Sequence, residues 1–230
     1  MYVIGDSHGL GSLLDALKRS KLTGQSFIHV GDVGIGFVRA EIDILMLDRI
    51  TKHLESANSY LYLLRGNHDN PKWWTESWYQ SDRIKLVQDY EVLEIEDRKI
   101  LCIGGALSID RLVRTPQIDY WPEEEIVKQS VVTYRELQGV ITHNVPLFCP
   151  PFGINDIVRY YINMEKSLGN QFFESQLLGE RKYLSDVFEE LQQNNDLKFW
   201  CSGHMHKDDF QEYKGVDFHM LGINSIKEIR

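Results

Sequence analysis

The chain has 230 residues, 43% hydrophobic and 26% charged, a balance ordinary for one globular unit and far from that of a disordered chain. We read residues 1–230 as a single domain. The longest apolar runs, such as residues 60–64, fall well short of the roughly 20 residues of a membrane span. A net charge of -9 opposes general nucleic-acid affinity, which depends on neutralising phosphates with Lys and Arg. An acidic protein acting on an anionic substrate therefore needs a local source of positive charge, such as bound metal ions. Cys102, Cys149 and Cys201 are odd in number and lack zinc-like spacing, so they read as buried thiols. The first residues read directly as a strand, so no secretory leader is expected and the expected location is the cytoplasm.

Short apolar runs ending in Gly-containing loops, each followed by a helix-period segment, predict alternating strands and helices. The strand over 2–4 runs into Asp6-Ser7-His8, whose D-x-H spacing can aim both side chains at one cation, and a helix follows over 10–20. The strand over 27–30 ends at Gly31-Asp32, before a helix over 39–56. The strand over 60–64 ends at Gly66-Asn67-His68-Asp69, where Asn67 offers a neutral oxygen ligand and His68 an acid or hydrogen-bond donor. Residues 84–86 and 90–95, then a turn at 96–98 into a strand over 99–103, predict a second sheet. Pro122 followed by Glu123, Glu124 and Glu125 has the character of a first helical turn and predicts a helix over 122–137.

The strand over 139–142 delivers His143. Residues 144–170 carry Pro146, Pro150, Pro151 and Gly153, with a short helix expected over 155–164. A stretch this long marks a functional loop or lid. A helix over 175–194 and a strand over 197–201 lead to Gly203-His204-Met205-His206, and a hairpin is expected over 210–213 and 216–220. Ligand-type residues thus stand at five strand-to-loop junctions, where sheets with helical connections bind their ligands.

This ordered set of motifs resembles that of the calcineurin-like metallophosphoesterase superfamily, over almost the whole chain. Periodicity gives only an α/β class. The resemblance implies two packed mixed β-sheets flanked by helices, an αββα sandwich. It also implies two divalent metal ions: Asp6, His8 and His206 on the first, Asn67, His143 and His204 on the second, with Asp32 bridging both. Manganese is the first expectation by resemblance, and iron and zinc also suit mixed nitrogen and oxygen ligands. The expected chemistry is hydrolysis of a phosphate ester by a hydroxide bridging the two metals, with Asp32 and His68 catalytic and His68 serving the leaving oxygen. A phosphomonoester is expected first. The alternatives are a phosphodiester, as in a nucleotide or nucleic acid, and a reading of another class, a catalytically silent protein-binding scaffold. The complete ligand set and the presence of His68 speak against the scaffold, and nothing in the sequence names a protein partner.

The protein serine/threonine phosphatases of this superfamily carry G-D-x-x-D-R-G at the second motif, whereas this chain reads Gly31-Asp32-Val33-Gly34-Ile35-Gly36-Phe37. The carboxylate and arginine of that branch are absent there. The run over 103–111, with Arg114 and Trp121-Pro122-Glu123, resembles small bacterial and phage members. Arg111, Arg114 and Arg65 are candidate phosphate contacts, weighed against ion pairing within the protein. Trp73, Trp74 and Trp78 read first as a wedge packing a helix onto a sheet, and second as a stacking platform. Phe148, Phe152, Tyr160 and Tyr161 are candidates for an apolar wall beside the site. His29, His53 and His219, outside every motif, are read as structural.

Overall fold

The computed structural model describes residues 1–76 and 78–230. Strand β1 (Tyr2–Ile4), helix α1 (Leu10–Ser20), β2 (Ser26–His29), α2 (Ala40–Ser56), β3 (Tyr60–Leu63), the short α3 (Lys72–Thr75) and β4 (Ile84–Leu86) form the first half. Next come β5 (Val92–Ile95), β6 (Arg98–Ile103), β7 (Leu137–Thr142), α4 (Asp156–Ser167), α5 (Phe173–Gln192) and β8 (Phe199–Ser202). The hairpin β9 (Asp209–Tyr213) and β10 (Val216–Met220), then β11 (Ile226–Glu228), complete the chain.

Among the described residues, one sheet has the order β11-β1-β2-β3-β4 and the other β5-β6-β7-β8-β10-β9. Both are mixed. Strand alternation sends neighbouring side chains to opposite faces, so Val3 faces the second sheet while Ile4 faces the helices. The inter-sheet core holds Val3, Ile28, Ile100, Cys102, Ile141 and Cys201. The outer face of the first sheet packs on α1 and α2, through Leu13, Leu17, Leu47 and Ile50. Helix α5 covers the second sheet through Leu184, Val187, Phe188 and Leu191. The fold is thus a four-layer αββα sandwich. Because β1, β2 and β3 are parallel, as are β6, β7 and β8, their carboxyl ends meet along one edge.

The helix expected over 122–137 does not form. Only Pro122–Glu124 makes a single 3₁₀ turn, and the chain then continues without regular structure to β7. The backbone groups that a helix would consume are taken by side chains from elsewhere. The Arg65 guanidinium donates to the carbonyls of Glu123, Glu124 and Glu125. Glu180 accepts from the Ile126 N–H, and the Tyr183 hydroxyl accepts from that of Gln129. Strand β11, which has no sequence signal, pairs antiparallel with β1 at the sheet edge.

Candidate metal centre

Each loop at the shared edge is shaped to turn its side chain into a common space. His8, Asp32, His204 and His206 all have left-handed backbone, with φ of 48, 56, 66 and 54°. Side chains other than Gly carry a cost there of about 1–2 kcal/mol, so this concentration marks a site whose surroundings hold it in place. The loops brace one another: Ser7 and His8 N–H both donate to the Asp32 carbonyl, and Asp69 accepts from the N–H groups of Val33, Gly34, Ile35 and Gly66. Gly66 is required by close approach, since a Cβ there would lie 2.1 Å from Asp32 Oδ1.

Two ligand groups result. Asp6, His8, Asp32 and His206 form one, and Asp32, His143 and His204 the other, with the candidate atoms of each group within 4.8 Å of one another. Asp32 is common to both. Asn67 joins the second group, its Oδ1 lying 2.9 Å from His143 Nε2 while its Nδ2 donates to Ser108 Oγ.

The donor set demands positive charge. His143 Nδ1 is 3.0 Å from the Val30 carbonyl, which only an N–H can satisfy, so the lone pair of the neutral ring is on Nε2. That nitrogen faces two acceptors, Asn67 Oδ1 at 2.9 Å and Asp32 Oδ1 at 3.2 Å. Likewise His8 Nε2 and His206 Nε2 are 2.8 Å apart, with Asp6 Oδ2 3.3 Å from the latter. Asp32 Oδ2 is buried without a hydrogen-bond partner. Either protons or cations must fill these gaps. Without metal, protons do so: burial would lower the His143 pKa, but the Asp32 charge overcomes it and lifts the group to about 9. Burial opposes ionisation of Asp32 too, yet His143 overcomes it and holds that carboxyl well below its usual range. Burial, followed by the charge of His143, keeps His204 neutral. The residues present therefore fit divalent cations, whose binding would displace the protons.

His68 stands outside both groups. Its ring lies 5.1 Å from that of His8 and is stacked 5.9 Å from that of Phe37, and burial lowers its pKa. His68 lines a cavity of about 530 Å³ together with Asp32, Asn67, His204 and His206, and the 151–158 segment, Tyr161 and α5 supply the rest of its lining.

The arginines have partners of their own. Arg65 pairs with Asp89 at 2.7 Å. Arg111 pairs with Glu165 at 2.6 Å and lies over the Phe173 ring. Arg114 is almost buried and donates to Ser108 Oγ and, at 3.1 Å, to the Asn67 carbonyl. Ser108 and Arg114 thus support Asn67 from behind, a role no sequence signal reveals. Trp73 and Trp74 are buried in the core, the latter donating to the Leu63 carbonyl, while Trp78 is exposed. Of the four loop aromatics, Phe152 and Tyr161 line the cavity. Phe148 instead packs into the core against Phe188, Tyr213 and Phe218, and Tyr160 is exposed. His29 is buried between Ser7 and the Gly31 N–H, with its pKa lowered to about 3 by burial.

The model of the calcineurin-like phosphoesterase family matches residues 1–208. No curated protein sequence matches the chain. Among solved structures, a Staphylococcus aureus protein described as a 5'-nucleotidase, in complex with alpha-ketoglutarate, is similar at 12% identity and a TM-score of 0.47. The match covers 98% of this chain and 49% of that one, so the chain spans about half the length of that protein.

Proposed function

Because the chain belongs to the calcineurin-like phosphoesterase family, we propose that it hydrolyses a phosphomonoester at a two-metal site made by Asp6, His8, Asp32, Asn67, His143, His204 and His206. Family membership supports metal-dependent hydrolysis of a phosphate ester; the pairing of metals, their identity and the ester class are our reading. The observation that carries it is Asp32, a buried carboxylate shared by both ligand groups, with one oxygen left unpartnered. Asp6, His8 and His206 complete one position, and Asn67, His143 and His204 the other. The mixture of imidazole, carboxylate and amide oxygen suits manganese, iron or zinc, with manganese our first choice. When bound, two such ions would hold phosphoryl oxygens and make a water nucleophilic near neutral pH.

The protein's own groups do the rest. Burial favours the neutral form of His68, so its imidazole N–H serves as a hydrogen-bond donor to the leaving oxygen in the cavity that it lines. Ser108 and Arg114 fix the Asn67 amide, which sets which of its atoms faces His143. Arg65 ties the 123–125 backbone beneath the site. Three buried thiols fit the reducing conditions of the cytoplasm, where we place the protein. Among the described residues, no helix is long and apolar enough to cross a membrane.

The test is turnover of p-nitrophenyl phosphate and bis-p-nitrophenyl phosphate by protein stripped of metal and reloaded with Mn²⁺, Fe²⁺ or Zn²⁺. Our reading expects metal-restored turnover with the monoester ahead. No restoration by any metal would sink it, and a preference for the diester would replace the ester class.

A further inference from the structure

The cavity beside the metal centre is far larger than a phosphoryl group requires, and its distal wall has a distinct chemistry. Phe152, Ile154, Ile157, Tyr161 and Leu178 line it, from the loop after β7 and from α4 and α5. Part of this wall is explained by packing: Ile154, Val158 and Leu177 rest on the small core of Leu107, Ile162 and Phe173. Phe152 and Ile157 are not so explained, being 72% and 54% exposed. Apolar side chains left facing a cavity that opens onto a reaction centre are what an apolar ligand group would cover.

Each charged side chain of the distal wall has a partner within the protein. Asp110 faces Arg114 at 3.5 Å and Glu174 faces Lys166 at 3.3 Å. Arg181 spends its terminal nitrogens on the carbonyls of Pro146, Cys149 and Pro151, and its Nε, though without a partner, is buried out of reach of the cavity's solvent. Arg111, next to the cavity lining, is held by Glu165. A second phosphate or a carboxylate on the substrate would therefore meet two carboxylates and no available guanidinium. Burial without a partner is costly for such a group, whereas an apolar group gains by leaving water.

We propose that this cavity receives the organic part of the substrate, and that this part is apolar and uncharged: the substrate is the phosphate monoester of a hydrophobic alcohol or phenol, and not a nucleotide polyphosphate, a sugar phosphate or a phosphoprotein. The proposal rests on the phosphoesterase reading and adds the substrate class. Discrimination comes from area buried on the wall of Phe152, Ile157, Tyr161 and Leu178, and rejection of esters with a second anionic group from the lack of an exposed guanidinium there.

The experiment is a series of n-alkyl phosphates from ethyl to octyl, assayed with metal-loaded protein beside a nucleoside monophosphate and a hexose phosphate. All primary alkyl esters have leaving groups of similar basicity, so the trend reports binding. We expect kcat/KM to rise up to ~4-fold per methylene until the cavity is filled, the value for full burial. Phe152→Ala and Ile157→Asp, at exposed positions where folding is not at stake, should flatten the rise. A flat series in the native protein, preference for the nucleotide or sugar ester, or an unflattened series in both variants would overturn the proposal. Calorimetric binding of n-alkyl phosphonates, which cannot be hydrolysed, separates the two levels. If no ester is turned over, the phosphoesterase reading fails, and affinity that still rises with chain length upholds the cavity assignment, while affinity independent of length removes it.

Discussion

The Arg114 guanidinium donates to the backbone carbonyl of Asn67 at 3.1 Å and to the Ser108 hydroxyl that itself accepts from the Asn67 amide. Asn67 is thereby held at both its backbone and its side chain. Arg114→Lys keeps the charge but cannot span both acceptors from one planar group. We expect affinity for one of two metal ions to fall ~10- to 100-fold, with stability lower by about 1–3 kcal/mol. Metal titration beside chemical denaturation measures both. Native affinity for both ions would show that the contact does not orient the ligand.

Gly66→Ala should damage the centre without removing a ligand atom. The added methyl would lie 2.1 Å from Asp32 Oδ1 and 2.3 Å from its backbone nitrogen, neither of which belongs to a flexible chain end. Metal content by elemental analysis should drop below that of native protein and the thermal midpoint should fall. A variant equal to native on both counts would mean that the loops are less tightly nested than described.

His68→Ala should retain both metals and lose rate by ~10²- to 10⁴-fold if the group acts as a donor in the transition state. Because its ring serves the leaving oxygen, alkyl phosphates should suffer more than p-nitrophenyl phosphate, whose leaving group is stable as the anion. Uniform losses across leaving groups would confine His68 to an electrostatic role.

How much of this could be read from residues alone differs by distance along the chain. The candidate ligands that the structure brings together were legible because each motif is local: a short strand, a Gly where backbone comes close, then the candidate at the strand's end, as in Gly31-Asp32 and Gly203-His204. Helices α1 and α2 were legible from their apolar faces. The 122–137 segment was not, because Arg65, Glu180 and Tyr183, distant in sequence, claim its backbone groups. Strand β11 was invisible because three residues at a sheet edge, none of them fully buried, carry no alternation. The Ser108–Arg114 support of Asn67 and the core position of Phe148 are tertiary facts with no local pattern.

Glu124 gives a pH test of the fold around the site. It is buried beside Arg114 at 3.6 Å, and burial lifts its pKa to about 7 against the opposing help of Ser108 and Arg114. An acid whose pKa is higher folded than unfolded contributes stability while protonated, and that contribution is lost as pH rises from about 4.5 to 7. Glu124→Gln does not titrate. The stability of the variant minus that of native protein, measured by urea denaturation of metal-free protein, should therefore rise across this window and then level off. Parallel pH profiles would contradict the shift.

On the proposed function, Asp32 belongs to two metal positions at once. Calorimetric titration of metal-stripped protein with Mn²⁺, repeated on Asp32→Asn, tests it most directly. Two ions per native chain are expected, with protons released on loading as His143 gives up the one it shares with Asp32. In the variant both ions should bind more weakly and turnover should disappear. Two ions bound to Asp32→Asn with native affinity, or a native chain that takes up only one, would contradict it.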